Sequence, residues 1–417
     1  MWANKIRLAQ FKITDLAYAY YDVDQPAINT PMINLNTHYG TYIDCSSAFN
    51  DATLNSVNIN GDGVMINANG MFSNSNIKNI NFNGTPKIVC SRWSPYPASM
   101  FSSCYNITDI PTLEFVRAPG DSVSLLNLTQ IFQYCYKLKH RTDEIIIDHA
   151  SFYNNGENEI DLNNTYRNNY SMLEFPQWLY GFTNSPSLFT YSNLGFMDCY
   201  SLQNVVLPMS NNVNYNKMSF FNGNLALKSI KFQTQEGGTP YTAKWSNSST
   251  CDLSLSVGYY PNNNYTYTSY LIMDNSGNLQ TFTNANDFLT FAETLNSKTD
   301  IGYKYIENGT TKVAYSSTSI YYGNFWDYKL VYCWSLEDAQ AIRDKGYIPY
   351  GISPNYSLYN HDGAVETINS LPDCSGCAAQ TIKFWGEAGS AYNKAINTLT
   401  EDEIAVATAK NWTVAIV

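Results

Sequence analysis

Charge is scarce in this 417-residue chain: Asp, Glu, Lys and Arg together make up 14% of it, against about 25% in an ordinary soluble domain. The charge that is present leans acidic, with 35 Asp and Glu against 24 Lys and Arg, for a net charge of −11. That balance argues against a nucleic-acid backbone or an anionic membrane surface as partner. No apolar run approaches the roughly 20 residues of a spanning helix, so no membrane insertion is expected.

The residues of common catalytic and metal sites are equally sparse. The four histidines are His38, His140, His149 and His361. No pair has the i, i+4 spacing of a helical zinc site, and no glycine-rich phosphate loop opens a helix. No nucleophile elbow is present. Asp148-His149 and the acids Asp143 and Glu144 read as solvated loop residues. The nine cysteines are Cys45, Cys90, Cys104, Cys135, Cys199, Cys251, Cys333, Cys374 and Cys377. An odd number at irregular spacing makes a poor disulfide framework. Cys374-Ser-Gly-Cys377 lacks the second pair a structural zinc would need. Asn60-Gly61-Asp62-Gly63 lacks the downstream ligands of a calcium loop and reads as a hairpin turn. No catalytic residue, metal or cofactor is expected, and the chain reads as a non-enzyme.

What is plentiful is tyrosine, at 34 residues, and asparagine, at 50. Tyrosine favours strands, and asparagine supplies turns and tolerates left-handed backbone. A chain this long predicts two to three domains and can bury a large core without staples.

The strongest signal is a repeat. An aromatic residue is followed by a small residue three positions on, then by apolar residues at about six and nine. Phe101, Cys104, Ile107 and Ile110 show it, as do Phe132, Cys135 and Leu138. So do Tyr166, Asn169, Met172 and Phe175; Phe196, Cys199, Leu202 and Val205; and Phe221, Asn224, Leu227 and Ile230. Two shorter copies begin at Phe49 and Phe72. In four copies a tyrosine follows the small residue: Tyr105, Tyr136, Tyr170 and Tyr200. Seven anchors spaced 23–34 residues apart predict a stack of short strands, in which no copy can bury its apolar side alone. The small residue is expected at a tight inner corner, where Asn bonds backbone and Cys or Ala merely fits. The aromatic is expected on the opposite side of the coil.

Met71-Phe72, Met100-Phe101-Ser102-Ser103-Cys104 and Phe196-Met197-Asp198-Cys199 carry a resemblance to the BspA-like leucine-rich repeat. It spans about residues 45–235. His361–Pro372, Thr381–Phe384 and Leu399–Val414 resemble a tail module that follows such repeats in phage and prophage proteins. Within it Thr400 and Glu403 form a capping box, Asn411 sits at a left-handed C-cap, and residues 412–417 read as a closing strand. Between the two regions, residues 264–271 and 313–322 predict strands. Residues 286–298 and 336–345 predict helices, the second capped by Ser335 and ended by Gly346.

These readings give a β-rich α+β chain: an irregular leucine-rich-repeat solenoid with an inserted α+β subdomain and a C-terminal capping module. The expected divisions are 1–44 (N-terminal docking segment), 45–254 (repeats), 255–350 (α+β subdomain) and 351–417 (cap). The resemblances imply a structural or adhesive component of a bacteriophage virion, fibre-like on tail or head. Met1–Tyr21 lacks the apolar core of a secretory leader, which suits a protein released by lysis. The alternatives are a bacterial cell-surface BspA-like adhesin and, further off, a tailspike that cleaves glycan. Expected partners are other virion proteins, a host cell-surface glycan or protein, and further copies of the chain in a homo-oligomer. Asn79, Asn81, Asp109, Asn204, Ser229 and Lys231, on outward strand positions, are the candidate ligand-binding residues.

Overall fold

The computed structural model describes residues 16–22, 32–35, 42–90, 98–117, 125–139, 145–147, 152–154, 157–176, 195–207, 221, 224, 226–232, 235–236, 239–240, 252–255, 265–295, 301–315, 329–350, 360–375, 379–384 and 399–416, with a few isolated positions. Among these residues the chain is sheet-rich with few helices. Its sheets are parallel and antiparallel, and none closes into a barrel.

The N-terminal half supplies β1 (Met32–Asn34), β2 (Ile43–Asp44), β3 (Ser56–Asn60), β4 (Met65–Asn67), β5 (Asn79–Asn83), β6 (Lys87–Cys90) and β7 (Leu113–Arg117). It continues with β8 (Leu125–Asn127), β9 (Ile145–Ile147), β10 (Tyr153–Asn154), β11 (Glu157–Asp161), β12 (Asn204–Leu207) and β13 (Ser229–Phe232). One parallel sheet runs β1-β3-β5 and a second runs β2-β4-β6-β7-β9. Successive copies therefore stack strand on strand. Alternation sends Val57, Ile59 and Ile80 inward and their Asn neighbours outward.

The turn Asn60–Gly63 joins β3 to β4, which lie in different sheets. It is a corner between two parallel ladders and not a hairpin, because each strand pairs with its own equivalent in the next copy.

The aromatic anchors form one continuous column. Phe49, Phe72, Phe101, Phe132, Tyr166, Phe196 and Phe221 stack with ring centroids 5.0–5.9 Å apart. Tyr20 extends the column at 4.9 Å from Phe49. This spacing follows the pitch of a parallel ladder, about 4.8 Å between strands. All seven anchors from Phe49 to Phe221 are buried, and truncating one to Ala would cost about 3–5 kcal/mol.

The backbone around each anchor explains the residue types. The positions two before and two after it have positive φ: Tyr18 and Asp22, Ser47 and Asp51, Gly70 and Asn74, Ser99 and Ser103, Gln130 and Tyr134, Asn164 and Asn168. Left-handed backbone costs about 1–2 kcal/mol per residue, least for Asn, Asp and Gly. Here it turns amides onto the next copy: Ser47 N donates to Asn69 O, Asp51 N to Ser73 O, Asn74 N to Ser102 O and Ser103 N to Gln133 O. Part of the asparagine excess is explained by this corner.

The small residue does not lie opposite the aromatic. Cys104 N donates to Phe101 O, and Cys135 N to Phe132 O, closing a turn on the same corner. The cysteines also do more than fit. Each thiol donates to the carbonyl of the anchor one copy back: Cys104 to Phe72, Cys135 to Phe101 and Cys199 to Tyr166, at 2.9–3.1 Å. The amide of Asn169 makes the same bond to Phe132 O at 3.0 Å.

Residues 16–22, 32–35 and 42–44, expected ahead of the repeats, run in the same ladder. Leu16, Tyr18, Tyr20 and Asp22 donate their amides to Asp44, Ser46, Ala48 and Asn50, and β1 pairs with β3 in parallel.

The chain continues through β14 (Gln235–Glu236), β15 (Thr239–Pro240) and β16 (Asp252–Leu255) into β17 (Tyr265–Met273) and β18 (Leu279–Phe282). Then follow α1 (Ala285–Ala292), β19 (Ile301–Glu307), β20 (Thr310–Tyr315), β21 (Leu330–Tyr332), α2 (Leu336–Asp344) and β22 (Ile348–Tyr350). The antiparallel sheet β18-β17-β19-β20, with α1, α2 and β21, builds its own core around Tyr270, Phe288 and Ile342. Helix α1 is shorter than the 286–298 expected. Ser335 caps α2, and Gly346 has φ +74° as its stop requires. The expected strand over 313–322 is described only to Tyr315.

The C-terminal part has α3 (His361–Ser370), β23 (Gln380–Phe384), α4 (Glu401–Ala409) and β24 (Trp412–Ile416). The Thr400–Glu403 capping box, the left-handed Asn411 (φ +65°) and the closing strand are all present. Strands β16, β23 and β24 form a parallel sheet, and α3 lies on β13. Ala364, Ile368, Ile382 and Trp412 share one core with the repeats.

Candidate functional site

Five outward asparagines share one face of the β1-β3-β5 sheet. The in-register pairs Asn58–Asn81 and Asn34–Asn60–Asn83 put them in two rows across the strands. Their amides link in sequence: Asn83 Nδ2 donates to Asn60 Oδ1, and Asn60 Nδ2 to Asn34 Oδ1. In the other row Asn81 Nδ2 donates to Asn58 Oδ1 at 2.9 Å. All three bonds run the same way, towards the N-terminal strands. The rows therefore end on β5 with the carbonyl oxygens of Asn81 and Asn83, which accept nothing among the described residues.

Strand β5 is the last of its sheet. Beside it runs the segment 108–112, which forms no strand and no described backbone hydrogen bond to β5. A groove of about 570 Å³ opens between them. The cause is a shortened copy. Ile88 follows Ile80 by eight positions, but Phe115, the partner of Ile88 in the second sheet, follows Ile110 by only five. Pro111 falls in the short connection and has no N–H to give a ladder.

Lys78, Asn79, Asn81, Phe82, Asp109 and Thr112 are among the groove's lining residues. Thr108 Oγ1 donates to Asp109 Oδ2 at 3.2 Å and orients the carboxylate. At the far end Gly84 has φ +94° and lies so close to the next corner that a Cβ would meet Asp62 Cβ at 2.7 Å. Thr85 N donates to Asp62 Oδ1 and keeps that corner stacked.

Of the six candidate residues, Asn79, Asn81 and Asp109 are exposed and come together at this groove. The other three lie elsewhere. Asn204 is exposed on β12, in register with Ser229. Ser229 is not outward: it is 2% exposed because α3 covers it, and it hydrogen-bonds Glu366. Lys231 is exposed but pairs with Glu366 at 3.2 Å. These bonds hold the Glu366 carboxyl below its usual range. Ser229 and Lys231 thus hold α3 in place.

Sequence reasoning missed Lys78, Phe82 and Asn83 at the groove. The short spacing from Ile110 to Phe115 was the available signal. His38, His140, His149, Asp143, Glu144, Asp148, Cys251 and Cys377 lie outside the described residues. Seven cysteines are described, and all are buried and free of disulfides. Among the described residues no three or more His, Cys, Asp or Glu gather as metal ligands, and no helix is long and apolar enough to cross a membrane.

The four repeated tyrosines form a second column outside the first. Tyr105, Tyr136, Tyr170 and Tyr200 stack at 4.6–5.1 Å. Leu330 and Ile348, from β21 and β22, pack against this column. Through β21 and β22 the core around Tyr270 and Val331 meets the repeats here.

No family model, curated protein or solved structure matches the chain.

Proposed function

We propose that this chain is a non-enzymatic structural and adhesive component of a bacteriophage virion, built as an irregular BspA-like leucine-rich-repeat solenoid. In this reading the 255–350 unit is an inserted subdomain and 351–417 is a cap. The observation that carries it is the uninterrupted column from Tyr20 to Phe221. A column stacked copy on copy makes a stiff rod whose core faces inward along its whole length. Such a rod displays outward polar side chains at fixed pitch. The asparagine rows on β1, β3 and β5 are a display of that kind, and asparagine is well suited to adaptable polar contacts. The partners are other virion proteins, a host cell-surface glycan or protein, and further copies of the chain.

The test is location. Antibody against the chain, carried on gold, is applied to density-purified particles and to intact cells of the producing culture. Label at a fixed place on particles is the expected result, and its position separates head from tail. Label on cells with clean particles overturns the virion reading in favour of a bacterial surface adhesin.

A further inference from the structure

We propose that the groove between β5 and residues 108–112 binds a neutral, hydroxyl-rich glycan. The inference deepens the adhesive reading and rests on it. It begins from the direction of the amide rows. Because every amide donates away from β5, the open ends at the groove are acceptors, the Oδ1 atoms of Asn81 and Asn83. The carboxylate of Asp109 adds two more acceptor oxygens across the groove, steadied by Thr108. Each amide also keeps its second N–H. A wall rich in acceptors, with a few donors, matches a ligand whose every hydroxyl both donates and accepts.

Charge selects the kind of glycan. Lys78 and Asp109 are the charged residues of the groove and offset each other. The chain as a whole carries −11 and repels polyanions. Phe82 alternates inward with Ile80 and packs partly against the core, leaving only an apolar margin along the groove. The free edge of β5 also turns backbone groups toward the groove, since no ladder forms with 108–112. A volume near 570 Å³ accommodates two to three sugar rings.

The experiment uses the full chain on immobilised neutral tri- to hexasaccharides built from hexoses and N-acetylhexosamines. Sulfated and sialylated oligosaccharides are the comparison set. Calorimetric titration of the best-retained neutral sugar follows. Retention of a neutral set is expected, with Asn81→Ala and Asp109→Ala each weakening affinity by about tenfold or more. Asn204→Ala, away from the groove, should leave it unchanged. Circular dichroism confirms that each variant is folded.

Three results would overturn the proposal: no neutral sugar retained, preference for the anionic set, or equal affinity in the Asn81 and Asp109 variants. Gold-labelled particles with no sugar retained remove the groove assignment alone. Clean particles with groove-dependent retention remove the virion reading and leave the groove.

Discussion

Cys104 and Phe72 sit one copy apart, and the thiol of the first donates to the carbonyl of the second at 2.9 Å. The bond is buried, and Cys135 and Cys199 repeat it. Replacing Cys104 by Ala removes one of that carbonyl's two donors, since Ser75 N also donates to it at 3.1 Å, and losing the one bond costs about 0.5–1.5 kcal/mol. Urea unfolding should show this loss for Cys104→Ala, with Cys104→Ser closer to the parent because a hydroxyl can still donate. Equal losses for the two variants would mean that packing alone sets the residue type.

The same burial silences the thiols. Burial pushes Cys104 up to about 12, and raises Cys90, Cys135, Cys199 and Cys333 as well. A thiol reacts as its thiolate. The folded chain should therefore take up iodoacetamide at no more than two of its nine cysteines, Cys251 and Cys377. Intact-mass spectrometry before and after denaturation reads the number directly.

Asp198 combines left-handed backbone, at φ +60°, with burial at 9% exposure. Burial pushes its carboxyl up to about 6, partly opposed by Arg167. A carboxyl raised above its unfolded value of about 3.9 holds its proton more tightly when folded, so stability is highest below pH 4 and falls as pH rises through 6. The loss is about 2–3 kcal/mol at pH 7. Asp198→Asn keeps a residue that tolerates this backbone and removes the charge. Its melting temperature should exceed that of the parent at pH 7.5 and match it at pH 4. An unchanged difference across that range would place Asp198 in an ordinary solvated setting.

Leu330 is 3% exposed and packs with Tyr136 and Tyr170. Leu330→Arg buries a charge against stacked rings and should break that contact. A buried unpaired charge typically costs several kcal/mol. Calorimetry should then resolve two transitions, one for the repeats and one for the core around Tyr270 and Val331, where the parent shows coupled melting. A single transition in the variant would mean that other contacts couple the two cores.

Much of the fold can be read in the residues because a stack imposes its pitch on every copy. The anchors from Phe49 to Phe221 announce themselves by spacing alone, since each must fill the same buried place. The Thr400–Glu403 box, the Ser335 cap and Gly346 are equally local, each set by which side chain can satisfy a helix end. Tyr20 was harder to see, because residues 1–44 carry no matching small residue and apolar pair. Its place shows in its stacking on Phe49 and in the hydrogen bonds from Leu16, Tyr18, Tyr20 and Asp22 to the next copy.

The candidate site divides in the same way. That Asn79, Asn81 and Asp109 point outward follows from strand alternation, a property of two neighbouring residues. That they face one another across a groove depends on the three residues missing between Ile110 and Phe115, relative to the copy before. Ser229 has the same alternation and is buried, because α3, more than 130 positions on, lies over β13. Pitch, buried anchors and helix caps follow from the residues alone, because each is decided within one copy or one turn. Which outward residues stay open is set by the folded chain, because it depends on what distant segments cover.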